Sequence, residues 1–215
     1  MALRNISTVY DFMVFIVRKE RNVFLTIQEA MNALDNGQLD AMSYWASIYG
    51  EDGVVHDAIA EFKRTSWFTT DTVGFFPLPS DYCRLLGFYT VAGSTTYKPT
   101  YVNEDELADA LNSQLRPVAT TTPKWRDDNG GIQLYPQVIQ YGTLMYLRRP
   151  AIPVYAYTES GRTITYDSAN SVQLEWNELY WNNIIARALV YVGINMNENT
   201  VTQFAAAYNQ ETKEP

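Results

Sequence analysis

At 215 residues, with 47% hydrophobic and 19% charged residues, the chain falls in the globular range and is long enough for one elaborate domain or two small ones. A formal net charge of −8, with 16 Lys and Arg scattered along the sequence, disfavours a general grip on nucleic-acid backbone, which needs clustered cations to displace counterions. One His and one Cys stand against 16 Tyr and 5 Trp, so the chain is poor in the usual catalytic groups near neutral pH and rich in residues that supply contact area.

The first 65 residues read as helices. Ser7 is placed to cap a helix whose Val9, Phe12, Met13, Ile16 and Val17 fall on one face. Thr26 and Glu29 form a capping box before the stripe Ile27, Ala30, Met31 and Leu34, and Gly37 is placed to end that helix. A third helix is expected from about Leu39 to Tyr49, stopped by Gly50, and a fourth from about Val54 to Lys63.

At Ser66 the apolar period changes from 3.6 to 2. Strands are expected over Thr72 to Phe76, Cys83 to Val91, Ile132 to Tyr135, Thr143 to Arg148, Val154 to Tyr157 and Thr163 to Tyr166. Glu159 to Arg162 makes a hairpin turn, and Asp127 to Gly131 a turn before a strand. Within this region Asn103 caps an acidic helix, with Glu104, Asp105 and Glu106 in its first turn and Leu107, Ala110 and Leu111 facing inward. Val172, Leu174 and Trp176 alternate as a short strand, and Asn177 can cap the strongest helix of the chain, Leu179 to Tyr191, which Gly193 ends. A last helix over about Asn199 to Tyr208 leads into a polar tail.

The pattern implies an α+β fold in which N- and C-terminal segments form a helical cluster around an inserted, mostly antiparallel β domain. The expected divisions are residues 1–65, 66–176 and 177–215.

No phosphate-binding loop, dinucleotide fingerprint, nucleophile elbow or zinc motif occurs. His56, beside Asp57, reads as a surface residue, and Cys83, which excludes an intrachain disulfide, as a small packed hydrophobe. Glu175 and Glu178 flank Trp176 and could serve a carboxylate-dependent hydrolase, but a carboxylate in a helix's first turn has a structural reason to be there. Asp127 and Asp128 lack the alternating ligand series of a calcium loop. No catalytic, cofactor-binding or metal-ligating residue and no cofactor is expected. With no continuous apolar h-region after the one Arg of the first ten residues and no run of 18 apolar residues, neither an export signal nor a membrane span is expected.

Several segments in order resemble the head-to-tail connector and ring proteins, including tail adaptors and tail-tubular proteins, of crAss-like and related short-tailed bacteriophages. They are Leu25 to Leu34 with Gln38-Leu39-Asp40, Pro77 to Tyr82, Ile132 to Pro136, Tyr146 to Pro150, and Trp176 leading into Ala188 to Ile194. The resemblance implies a virion structural protein made in the host bacterial cytoplasm and not an enzyme. Its copies would form a ring, twelvefold by implication from the portal, contacting the portal or neighbouring tail rings. Genomic DNA would pass through the lumen without sequence-specific binding, and no membrane is involved. Interface candidates on this reading are Tyr97, Tyr101, Tyr155 and Tyr157 in β loops, together with Glu211, Lys213 and Pro215 at the end of the chain. The alternative is a carbohydrate- or small-ligand-binding module.

Overall fold

The computed structural model describes residues 5–21, 23–48, 57–161, 163–196 and 198–211. In chain order its elements begin with α1 (Ile6–Arg21), α2 (Ile27–Ser47), β1 (Lys63–Thr69), β2 (Phe75–Pro77), β3 (Tyr82–Ala92), β4 (Thr95–Tyr97) and β5 (Thr100–Tyr101). There follow α3 (Leu107–Asn112), β6 (Lys124–Asp128), β7 (Gly131–Tyr135), β8 (Tyr141–Arg148), β9 (Tyr157–Ser160), β10 (Thr163–Tyr166), α4 (Trp181–Tyr191) and α5 (Glu198–Glu211). Helices at both ends and mostly antiparallel sheets between them make an α+β protein. The chain divides into two compact units, one of Met1–Glu61 with Pro150–Pro215 and one of Phe62–Arg149, so the β9–β10 hairpin shares a unit with the terminal helices.

In the helical unit, the stripe Val9, Phe12, Met13, Ile16 and Val17 is buried as its spacing requires. The cap is Asn5 instead of Ser7: its Oδ1 accepts the Thr8 backbone N–H at 2.9 Å, and Ser7 lies inside the helix. Ile6, fully buried, starts the helix two residues earlier than the capping pattern suggested. The Thr26/Glu29 capping box is present in full.

Gly37 does not end α2. The helix runs 21 residues straight through it, and the expected third helix is its second half. A Cβ built on Gly37 would lie 2.8 Å from the Ala188 nitrogen and the Ile184 carbonyl oxygen of α4, so glycine is needed there because two helix backbones touch. The buried face of α4, with Trp181, Ile184, Ile185, Ala188 and Leu189, completes this crossing. Gly193 ends α4 at φ +82°, with Ile194 N–H donating to the Leu189 carbonyl and Gly193 N–H to that of Val190, a Schellman arrangement. Of the expected helix from Val54 to Lys63, residues 54–56 lie outside the described residues, Ala60–Phe62 is a 3-10 turn, and Lys63 already belongs to β1.

The second unit contains two four-stranded sheets, ordered β1-β8-β3-β4 and β2-β7-β6-β5, antiparallel except for the β5·β6 pair. The core is formed by Phe68, Phe76, Phe88, Ile132, Leu134, Ile139, Leu144 and Tyr146. Phe68 stacks on Phe76 at 3.9 Å, and Phe88 meets both edge-on.

Strands β1, β4, β5 and β6 were not anticipated, and β6 carries Asp127 and Asp128, expected in a turn, inside a strand before the turn at Gly130. Val154 and Val172 make only an isolated bridge to each other, so neither expected strand there forms in full. The acidic helix is a 3-10 turn over Glu104–Glu106 followed by the six-residue α3, and none of its residues is buried. Leu107 and Ala110 are half-buried, while Leu111 is exposed, contrary to the inward placement expected for it.

Candidate functional site

The interface candidates fall into two groups, one in each unit. Tyr97 lies on β4, where its carbonyl oxygen accepts the Thr90 hydroxyl at 3.3 Å. Tyr101, on edge strand β5, is 48% exposed and meets the Trp125 ring edge-on at 4.8 Å. Tyr155 is half-buried, its ring 5.3 Å from Tyr10 and 4.9 Å from Tyr166, and Tyr157 stands at the exposed border of this cluster. Tyr10 anchors the group by donating its hydroxyl to the Leu25 carbonyl at 3.0 Å, and burial pushes its phenol pKa up. A groove of about 350 Å³ lined by Ile27, Met31, Asp35, Ile152, Tyr155 and Tyr157 adjoins it. Glu211 is the last residue of α5, whose side chain there is outside the described set, and Lys213 and Pro215 lie outside the described residues, as does His56.

The acidic pair is placed for structure. Glu175 Oε2 accepts the Ala151 backbone N–H at 2.7 Å, and Glu178 opens the 3-10 turn before α4. Trp176 is only 3% exposed and Trp181 is also buried, so neither offers a ring face on which a sugar could stack. Trp181 Nε1 donates to the Trp176 carbonyl at 2.8 Å, and Trp45 packs on Trp176 at 5.1 Å. Asn177 does cap, its side chain accepting the Leu179 N–H. Asp128 pairs with Arg126 at 3.2 Å within β6. Among the described residues no group of three or more His, Cys, Asp or Glu is placed to hold a metal ion.

One expectation about the surface is corrected. Cys83 is exposed instead of packed: the ladder between β3 and β8 skips from Tyr82 to Arg84, making Cys83 the extra residue of a bulge. Five of the 16 basic residues are gathered by strand register. Lys63 and Arg84 both pair with Leu147, Arg64 with Tyr146, and Arg148 with Tyr82, while Arg149 N–H donates to the Asp81 carbonyl. Charges far apart in sequence thus share one end of the β1-β8-β3 ladder. Tyr146, paired with Arg64 on the face opposite Lys63 and Arg84, gives its hydroxyl to Asp81 at 3.0 Å, and burial together with this bond pushes its pKa up.

The sequence reading also missed the most exposed aromatic among the described residues. Trp67 on β1, 73% exposed, lies in one cross-strand row with Thr143 and Tyr89. The signal available was the alternation around Trp67-Phe68-Thr69, in which Phe68 goes to the core and Trp67 away from it.

Comparison with known families gives one match: a family model described as SU10 adaptor protein aligns with residues 25–214. No curated protein matches the chain. Among the described residues no helix is long and apolar enough to cross a membrane.

Proposed function

We propose, because this chain belongs to the SU10 adaptor protein family, that its copies close a twelvefold ring joining the portal to the tail of a tailed phage and lining the DNA conduit. The family makes the chain a phage adaptor with a structural role in the virion. The observation that carries the finer reading is the extent of the match, which runs across both compact units. The motif order from Leu25 to Ile194 that resembles the crAss-like and related short-tailed phages lies inside the same span.

The physical chemistry supports a passive conduit. A net charge of −8 per copy sums to roughly −100 in twelve, giving a lumen that repels phosphate and lets DNA slide. Ring neighbours, the portal and an adjacent tail ring are the partners on this reading, reached through Tyr97, Tyr101, Tyr155, Tyr157, Glu211, Lys213 and Pro215. No cofactor, catalytic step or membrane enters.

The test is a conditional null allele. Filled heads without attached tails are the expected product, with tails restored when the protein is supplied. Normal tailed particles lacking the protein would refute the assignment.

A further inference from the structure

We propose that the outer face of the β1-β8-β3 sheet receives the acidic segment Glu104–Leu115 of a second copy of this chain, forming a head-to-tail contact around the ring. This inference rests on the ring reading above and adds the surfaces that meet.

The receiving face follows from register. Alternate residues of the three strands turn away from the core and line up in rows: Thr65, Met145 and Gly87, then Trp67, Thr143 and Tyr89, with Lys63 and Arg84 flanking a fully buried Leu147 where the open face stops. Tyr141 extends the face beyond Thr69. Trp67, Tyr89 and Tyr141 are all exposed, and Arg84 is exposed at the opposite end. Trp, Tyr, Arg and Met are the residues that concentrate at protein contacts. A nucleic-acid strand fits less well, since tracking a phosphate backbone needs cations along the whole path and these stand at one end of it.

The occupant is indicated by complementarity. Glu104, Asp105, Glu106 and Asp109 are all exposed, and no residue of the 3-10 turn or of α3 is buried. Leu111 is exposed beside them, and Leu115 is 96% exposed, which leaves a large apolar side chain without cover. The segment therefore pairs acids with the uncovered Leu115 and the partly exposed Leu111, as the receiving face pairs Arg84 with exposed aromatics. It emerges from β5, in the sheet that does not contain β1, β8 and β3, so the two surfaces are distinct patches of one unit. A contact between distinct patches is heterologous and propagates from copy to copy, which is how rings close.

Three strands by five residues give an open footprint of about 15 by 17 Å, or roughly 250 Å². That is below the ~800 Å² per partner of a stable complex. The contact holds when copies are already gathered on a common support, and the free chain in dilute solution stays monomeric through this surface.

The experiment places Trp67→Cys and Leu111→Cys together in a Cys83→Ser background and oxidises purified particles. A ladder of covalent multimers beyond the dimer is expected, with monomers from either cysteine alone. Arg84→Glu in this background should cut ladder yield about tenfold or more, and adding Glu104→Lys with Glu106→Lys should restore it. Circular dichroism of each purified variant checks that the chain is folded. Absence of a ladder from particles holding the normal number of copies would overturn the contact while leaving the ring intact; particles holding a single copy would instead overturn the ring. Dimers from Trp67→Cys alone would mean that the faces pair with each other, and Trp67-dependent fluorescence quenching by oligo(dT) at physiological salt would mean a nucleic-acid surface. Either result also refutes the proposal.

Discussion

Replacing Gly37 by Ala separates two opposing effects at one residue. In an isolated helix the change is favourable by about 1 kcal/mol, because Ala loses less backbone entropy than Gly. In this fold the new methyl group would stand 2.8 Å from both the Ala188 nitrogen and the Ile184 oxygen, and 3.0 Å from Ala188 Cα. Those are main-chain atoms of α4, which cannot rotate aside, so α2 and α4 must separate by several tenths of an ångström along their buried crossing. Overpacking of this kind costs up to about 3 kcal/mol. The clash therefore wins by about 2 kcal/mol, equivalent to a fall in melting temperature of about 4–8 °C. Urea and thermal unfolding followed by circular dichroism would read it, with Asn36→Ala on the exposed side of the same turn as a control that gains a few tenths. A Gly37→Ala protein that melts above the parent would show that propensity governs and that α2 and α4 do not cross in backbone contact.

Thr26→Ala should cost about 1 kcal/mol by removing one half of the capping box, measurable in the same unfolding curves. Hydrogen bonds from the Thr26 side chain and then its backbone hold the Glu29 carboxyl below the usual glutamate range, so their support is present at neutral pH and is lost as pH falls through that lowered value. Glu29→Gln should therefore flatten the acid side of the stability profile. Tyr146 behaves with the opposite sign of slope: its folded pKa is raised, first by burial and then by the bond to Asp81, so stability falls as pH climbs above the ordinary tyrosine range. Tyr146→Phe should cost about 1 kcal/mol at neutral pH and remove that alkaline decline. Phe76→Ala, which empties the centre of the stacked Phe68, Phe76 and Phe88 group, should cost about 3–5 kcal/mol.

What was legible in the sequence is what local chemistry decides. The buried stripes of α1 and α4, the Thr26/Glu29 box, the Asn177 cap and the Gly193 terminus all depend on residues within two turns of one another. The core-bearing strands β3, β7 and β8 announced themselves through period-two hydrophobicity. Gly37 was misread because its reason lies at Ala188, distant in sequence, and a glycine after a polar pair looks the same whether it ends a helix or lets another approach. Edge strand β1 was missed because its run Lys63-Arg64-Thr65-Ser66 carries polar side chains, as an edge with one ladder partner can. The surface was less legible still. Counting tyrosines indicated contact area without telling half-buried Tyr155, locked between Tyr10 and Tyr166, from exposed Tyr101. Trp67 and the gathering of Lys63 with Arg84 needed the register of three strands, which no single segment contains.

The central claim, a ring of this adaptor between portal and tail, is tested most directly by symmetry-free reconstruction of intact particles carrying a labelled copy of the protein. Twelve equivalent subunits at the junction of portal and tail, each with its own pair of compact units, are the expected result. Label density anywhere else in the particle, or a single asymmetric copy at the junction, would contradict it.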